Sequence, residues 1–187
     1  MNSPARQELK LSDAFLMLAL GISLVLNVYQ YRQGSSVNST APAGAVTPKL
    51  GLQLDKLHLK SADGMIETLS LKGEQAPTVV YVMSPECKWC KANLDKVNAL
   101  ASNLSGRYRI VGVSSHLNPS DGSMGYKFPL FYADNAFPEP RIPLSITPQT
   151  LLFSKDGELI KKWDGAYSSE MEKDIKSYFQ LPSRASF

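Results

Sequence analysis

The chain of 187 residues contains two cysteines, Cys87 and Cys90, separated only by Lys88 and Trp89. Two thiols at this spacing can close into a small disulfide ring when the second lies one turn into a helix, and the ring opens and closes by thiol–disulfide exchange. A helix N-terminus stabilises a thiolate and so lowers the pKa of a thiol placed there. The motif therefore predicts a redox pair in which Cys87 is the attacking thiol and Cys90, more covered, resolves the mixed disulfide.

Other uses of the cysteine pair stay open from the sequence. A zinc site needs four ligands, and His58 and His116 lie far apart without forming a second ligand pair. A permanent structural disulfide is the second alternative, although closing so short a loop removes little entropy from the unfolded chain. In that case the domain would be a non-catalytic binding or assembly module. The residues between and around the cysteines indicate no metal and no cofactor.

The residues before the motif predict the strand that positions it. Residues 78–83 form a nearly continuous apolar run rich in β-branched side chains, typical of a strand buried on both faces. Ser84 and Pro85 interrupt this run, and a helix is expected after them. Its apolar face has residues three and four apart: Cys90, Leu94, Val97, Ala101 and Leu104. Gly106 is expected to end the helix.

The other apolar runs predict an α/β domain. A strand with an interruption is expected at residues 50–59. Further strands are expected at residues 65–71, 108–114, 128–132, 149–154 and 159–163. The first two should form a hairpin, and the last two, which flank Lys155-Asp-Gly-Glu158, should be antiparallel. Ser169 and Glu172 form a capping box that should open a final helix ending near Leu181. Strands that alternate with helices favour an α/β sheet.

The N-terminal part of the chain has a different composition. Residues 1–13 are polar, and residues 14–31 carry no charge over 18 positions. A helix of that length spans roughly 27 Å, close to the thickness of a bilayer core. We expect an uncleaved transmembrane anchor there, with a cleaved signal peptide and a buried core helix as alternatives. Residues 32–49 have the Gly, Ser and Pro content of a flexible linker, so the folded domain should span residues 50–187.

The charges indicate a location and exclude one class of partner. Basic residues before the apolar run outnumber those just after it, which favours an N-terminus inside and a domain on the extracytoplasmic, periplasmic side. Disulfide chemistry is permitted in that compartment. The formal charge is only +3, from 20 basic and 17 acidic residues, and no basic stripe occurs. The balance argues against nucleic-acid binding.

Several motifs carry a resemblance to a known family. They are Asp63-Gly64 with Leu69-Ser-Leu71 in the leading hairpin, the strand before the cysteine pair, Ile146-Thr147-Pro148, and the Lys155-Asp-Gly-Glu158 turn. From about Leu50 to Leu181 the chain resembles the membrane-anchored thioredoxin-like proteins of the TlpA/redoxin kind. The resemblance implies a thioredoxin-like fold, with a central mixed sheet flanked by helices, an N-terminal β-hairpin and a single N-terminal transmembrane helix.

The same resemblance implies an activity and the residues that serve it. The chain would be a thiol–disulfide oxidoreductase acting on protein cysteines, with Cys87 and Cys90 as catalytic residues. Pro148 would follow a cis peptide bond, which is rare and implies a specific constraint. The backbone of Thr147 would pair with an extended substrate, and Trp89 is either a substrate contact or a packing residue. A reductase of this kind would need a membrane electron donor.

The chain departs from the family at three positions around the motif. Glu86 stands where thioredoxins have a tryptophan, and Tyr81 stands where they have a buried aspartate. Asn93 replaces a glutamate that is common in the cytochrome c maturation reductases of the family. No carboxylate is therefore evident that could exchange a proton with the buried thiol, and a role in haem-protein maturation is disfavoured.

Overall fold

The structure is a computed structural model that describes residues 17, 19–24, 47–115, 124–133 and 142–182. The chain divides into two units, Met1–Ala41 and Pro42–Phe187. In the first unit, residues 19–24 are helical. Among the described residues, no helix is long and apolar enough to cross a bilayer. Most of the predicted anchor, residues 14–31, and most of the predicted linker lie outside the described residues, so both stay predictions.

The described part of the second unit forms a mixed seven-stranded sheet and two helices. The strands are β1 (Lys56–Lys60), β2 (Ile66–Ser70), β3 (Thr78–Met83), β4 (Arg109–Ser114), β5 (Leu130–Ala133), β6 (Gln149–Phe153) and β7 (Leu159–Asp164). The helices are α1 (Lys88–Leu104) and α2 (Ser169–Tyr178). The strand order is β2-β1-β5-β4-β3-β6-β7, with β4 parallel to β3 and to β5 and the other pairs antiparallel. The mixed sheet, the opening hairpin and the antiparallel last pair confirm the predictions.

Strand β3 is buried along its whole length, as its apolar run predicts. It lies between β4 and β6, and all six of its residues are buried. Because side chains alternate along a strand, Val79, Tyr81 and Met83 enter one core cluster, and Val80 and Val82 enter the other. The loop that follows β3, which leads to Cys87 and the start of α1, is consequently held by a central element of the sheet.

Both described helices pack into the same core cluster. Helix α1 contributes Val97, Leu100 and Leu104, and the C-terminal part of α2 contributes Ile175 with Phe179 just beyond it. These side chains meet the face of β3 that also carries Tyr81. The prediction of a sheet flanked by helices is thus realised on one face within the residues that the structure describes. The rigid packing of α1 fixes the position of its N-terminus and of the cysteines there.

The start of the final helix differs from the predicted capping box. Ser168, not Ser169, is the N-cap of α2, and its hydroxyl oxygen accepts a hydrogen bond from the Met171 N–H at 3.2 Å. Glu172 is 2.6 Å from the Lys96 ammonium, an ion pair that joins α2 to α1. The prediction was wrong because two adjacent serines can both serve as caps, and Glu172 pairs with a distant lysine. The helix ends at Tyr178, three residues before Leu181.

The strand predicted at residues 50–59 is interrupted as expected, and β1 is its regular part. The segment before β1 lies against the turn that joins β6 to β7, where the Leu54 N–H donates to the Gly157 carbonyl oxygen at 2.9 Å. Gly157 has φ +80°, and a Cβ there would collide with the Leu54 carbonyl oxygen. The turn therefore requires glycine, because a side chain would block this close approach.

Candidate functional site

Cys87 and Cys90 are joined by a disulfide at the N-terminus of α1. Their Cα atoms lie 5.2 Å apart. Cys87 is the N-cap of the helix, and its Sγ accepts a hydrogen bond from the Cys90 N–H at 3.0 Å. The sulfur of Cys87 thus occupies the position where a helix offers free N–H groups and its positive dipole end. A thiolate formed on Cys87 would be stabilised by both.

The two sulfur-bearing residues differ in exposure. Cys87 is half-buried, whereas Cys90 is 1% exposed and packs in the core cluster with Tyr81 and Val97. A thiol of a partner protein would therefore meet Cys87 first. This asymmetry agrees with the roles predicted for the two cysteines, and those roles remain predictions.

Residues of both charges flank the cysteine pair. Lys88 and Lys91 are exposed at the first turn of α1, and that turn contains no acidic residue. Glu86 immediately precedes the pair, and its carboxylate accepts a hydrogen bond from the Ser84 hydroxyl at 2.8 Å. The acidic residue thus belongs to the loop before the pair, while both lysines belong to the first turn of the helix that Cys87 caps.

Trp89 lies on the surface beside the disulfide. Its side chain is 53% exposed, and the Lys88 ammonium lies 4.9 Å from the centroid of its ring. Trp89 belongs to neither of the two core clusters. Substrate contact stays the prediction for this residue.

The structure brings Pro148 to the strand that carries the cysteine loop. The Thr147–Pro148 peptide bond is cis, as the resemblance implies. Gln149, the first residue of β6, is opposite Val82 of β3, so Pro148 lies level with the end of β3. Pro148 is buried, and its carbonyl oxygen accepts a hydrogen bond from the Gly165 N–H at 2.8 Å. Thr147 is half-buried, and its contact with a substrate stays a prediction.

A groove of about 510 Å³ opens beside the buried cysteine. Its walls come from the loop after β3, from α1 and from the segment before β5: Met83, Ser84, Pro85, Cys90, Lys91, Leu94, Met124 and Tyr126. Cys90 forms part of this wall although almost none of its surface is exposed. Sequence reasoning missed Met124 and Tyr126, because their segment has no periodic pattern. The segment reaches the groove because β5, which follows it, pairs with β4 in the sheet.

Tyrosines rather than acids surround Cys90 on its core side. Tyr126 packs against Tyr81 with 5.8 Å between ring centroids, and its hydroxyl donates to the Cys90 carbonyl oxygen at 3.4 Å. Burial raises the pKa of Tyr126 to about 12 and raises the pKa of Tyr81 further. No Asp, Glu, Lys, Arg or His is buried among the described residues. The core cluster that contains Cys90 thus includes tyrosine hydroxyls and no charged side chain among the described residues.

Asn93 links this polar group to the C-terminal part of the chain. It lies three residues after Cys90 on α1 and is 1% exposed. Its side-chain oxygen accepts a hydrogen bond from the Tyr167 N–H at 2.8 Å. The Tyr167 hydroxyl is 2.6 Å from that of Thr150, and burial raises the pKa of Tyr167. In the sequence, Tyr81 and Asn93 stood out only as departures from a family pattern, and nothing signalled Tyr167.

Solved structures from bacteria are similar to this chain in fold. A candidate protein disulfide isomerase from Bacteroides thetaiotaomicron superposes with a TM-score of 0.57 at 14% identity, covering 72% of this chain and 90% of that one. A candidate thiol:disulfide interchange protein DsbE from Chlorobium tepidum gives 0.56 at 14%, with coverages of 72% and 99%. A candidate thioredoxin from Neisseria meningitidis gives 0.51 at 19%, with coverages of 74% and 95%.

These similarities concern the fold. No protein-family model and no curated protein sequence matches the chain. At identities this low, the shared architecture shows that the second unit has a thioredoxin-like α/β fold with a mixed sheet. A shared fold does not show a shared activity, so the activity has to be argued from the residues of the site.

Proposed function

We propose that the chain is a thiol–disulfide oxidoreductase that acts on protein cysteines through Cys87 and Cys90. The observation that carries the proposal is the asymmetric disulfide at the helix N-terminus, with Cys87 half-buried and Cys90 covered. Such a position stabilises the thiolate of the outer cysteine and makes it the better nucleophile and leaving group. The thioredoxin-like fold and the cis bond before Pro148 agree with this role.

The exchange proceeds in two displacements in the reductase direction. The Cys87 thiolate attacks one sulfur of a substrate disulfide, forms a mixed disulfide and releases the other substrate sulfur as a thiolate. Cys90, after losing its proton, then attacks the Cys87 sulfur, which restores the internal disulfide and releases the second substrate thiolate. The substrate gains two electrons, and the cysteine pair loses two. A dithiol donor on the membrane would return two electrons to the cysteine pair. In the oxidase direction the same sulfur–sulfur bonds form and break in the reverse order.

Trapping the mixed disulfide tests the assignment of both cysteines. In Cys90→Ser the second displacement cannot occur, so Cys87 should remain bonded to partner proteins. Non-reducing gels of cells expressing this variant should show adducts that disappear on reduction. Cys87→Ser is the matched control and should give few or none, because the covered Cys90 is out of reach of a partner. Absence of adducts in cells whose wild-type protein cycles between redox states would refute the assigned roles.

The reduction potential separates catalysis from the structural alternative. Equilibration of the purified protein with glutathione or dithiothreitol gives the potential of the pair. A value in the range of known exchange proteins, about −120 to −270 mV, supports an exchanging pair. A value below about −300 mV is typical of structural disulfides and would favour a binding or assembly module.

We also propose that the domain lies outside the cytoplasm and is held there by residues 14–31. The support is the charge-free run of 18 residues, the linker composition that follows it and the presence of a disulfide in the folded domain. Substrates would then be extracytoplasmic proteins, with the electron donor in the same membrane. Trp89 and Thr147 would contact the substrate beside Cys87.

A further inference from the structure

Asn98 of α1 binds the backbone of the segment before β5, residues 124–127. Its side-chain nitrogen donates to the Gly125 carbonyl oxygen at 2.9 Å, and its side-chain oxygen accepts a hydrogen bond from the Lys127 N–H at 2.9 Å. Asn98 is buried, so water competes little for either bond. An amide side chain has both a donor and an acceptor, and here the two groups hold one segment by its backbone.

The backbone conformation of this segment depends on contacts that hold it. Met124 has φ +49° and Gly125 has φ +80°, so two successive residues are left-handed. Glycine adopts this conformation readily, whereas another residue does so uncommonly and keeps it where its surroundings fix it. The two hydrogen bonds of Asn98 lie directly after Met124. Their loss should therefore loosen the segment.

The same face of α1 leads from Asn98 to Cys90. Cys90, Leu94 and Asn98 follow one another at steps of four residues, so each neighbours the next on the helix surface. The Tyr126 hydroxyl donates to the Cys90 carbonyl oxygen at 3.4 Å, and both residues line the groove described above. Apart from Tyr126 and Met124, the lining residues belong to β3, to α1 or to the loop between them. The segment held by Asn98 thus supplies a separate wall of the groove.

We propose that Asn98 is a positioning residue that holds Tyr126 at Cys90, so that a partner protein meets the sulfur of Cys87 and not that of Cys90. The inference rests on the proposed function, because it names what separates the two sulfurs in exchange. Cys90 lines a groove of about 510 Å³ and is nevertheless 1% exposed. Movement of the segment away from α1 would widen the groove at that wall and expose Cys90.

The test is the rate at which iodoacetamide alkylates Cys90 in the full chain. A Cys87→Ser background leaves one thiol and keeps an oxygen at the N-cap of α1. Adding Asn98→Ala removes both hydrogen bonds to the segment and should raise the alkylation rate about tenfold or more, since opening the segment then breaks fewer bonds. Mass spectrometry measures the rate, and a pH series separates a change of access from a change in the pKa of the thiol.

Two variants of Tyr126 test the wall directly. Tyr126→Ala removes the ring and should raise the alkylation rate of Cys90 at least as much as Asn98→Ala. Tyr126→Phe is the matched control, because it keeps the ring, and its rate should stay within about twofold of the starting value. These variants keep the inference falsifiable if Asn98→Ala does not fold. An unchanged rate in Tyr126→Ala would overturn it.

A general loss of stability gives a different result from a local opening. Ser168→Ala removes the cap of α2 and weakens the fold outside this segment. It should leave the alkylation rate of Cys90 nearly unchanged. In Asn98→Ala the rate should depend little on urea below the unfolding transition, because a local opening exposes little surface. An unchanged rate in Asn98→Ala, an equal rise in Ser168→Ala, or a rate that follows global unfolding would overturn the inference.

Alkylation needs no substrate, so it separates this inference from the proposed function. A faster reaction in Asn98→Ala together with failed trapping in Cys90→Ser would refute the enzyme and leave the contact of Asn98 as the cover of Cys90. Successful trapping without a faster reaction would refute the role of Asn98 alone.

Discussion

Cys87 and Cys90 have the same chemistry in the sequence and different surroundings in the fold. Cys87 caps a helix and is half-buried, whereas Cys90 is covered and has Tyr81 and Tyr126 nearby. The two identical side chains thus differ in accessibility and surroundings. Thiol–disulfide exchange uses such a difference, because one thiol attacks the substrate and the other attacks the mixed disulfide afterwards.

Asp174 shows how local contacts set a pH dependence at the residue scale. Its carboxylate accepts a hydrogen bond from the Trp163 ring N–H at 2.6 Å and lies 3.1 Å from the Lys161 ammonium. The Trp163 hydrogen bond, followed by the one from Lys161, holds the pKa of Asp174 below its usual value. Since the folded protein binds this proton less tightly than the unfolded chain, the contact stabilises the fold above the unfolded pKa, about 3.9.

We predict that Asp174→Asn lowers the free energy of unfolding near neutral pH by about 1 kcal/mol or less, as for other exposed pairs. The contribution is lost as pH falls through the folded pKa, so variant and wild type should converge in acid. Urea unfolding at about pH 6 and at about pH 3 measures this difference. Asp95→Asn, at an exposed position on α1, controls for the loss of one acidic charge. A difference that widens in acid would contradict the assigned contacts.

At the scale of the element, the N-termini of α1 and α2 are capped by different residues and have different contacts. Helix α1 is capped by the sulfur of Cys87, so its first turn is part of the redox site. Helix α2 is capped by Ser168, and its first turn carries Glu172, which pairs with Lys96 of α1. The cap of α2 therefore also helps to keep α1 in place.

We predict that Ser168→Ala destabilises the domain by about 1 kcal/mol, because the Met171 N–H loses its acceptor. Ser169→Ala is the matched control, since Ser169 is exposed and adjacent, and it should change the free energy of unfolding little. Chemical denaturation of the two variants distinguishes the caps. A larger loss in Ser169→Ala would restore the capping box predicted from the sequence.

At the scale of the whole molecule, the sheet brings distant segments to the cysteine loop. Parallel pairing of β3 with β4 places the ends of both strands at the same edge, and the segment before β5 returns there with Tyr126. Antiparallel pairing of β6 with β3 places Pro148 at that edge as well. The site is thus assembled from at least three separate parts of the chain.

The proposed anchor is tested on the full chain. If residues 14–31 span a membrane, the protein expressed in a Gram-negative host should stay in the membrane pellet after alkaline carbonate extraction. The same chain without residues 1–31 should appear in the soluble fraction. External protease should remove the domain once the outer membrane is permeabilised. Extraction of the full chain by carbonate would contradict the anchor, and protection of the domain would contradict its location.

Local patterns in the sequence predicted much of the fold. The buried strand β3, the helix after the cysteines, the antiparallel last strands and the turn at Gly157 follow from hydrophobic periodicity and turn chemistry, which depend on near neighbours. The cysteine spacing likewise predicted a redox pair, and the structure has a disulfide there. The cis bond before Pro148 followed from a resemblance and not from these patterns.

Only the tertiary structure decided what surrounds the disulfide. The contact of Tyr126 with Tyr81 and with the Cys90 carbonyl oxygen, the hydrogen bond between Asn93 and Tyr167, and the pairing of Glu172 with Lys96 join residues far apart in the chain. Such contacts depend on how strands are ordered and on which faces of the helices are covered, and no local window of sequence contains that information. The chain by itself thus determined which residues could exchange a disulfide, and the packing of the sheet decided the environment in which they would do so.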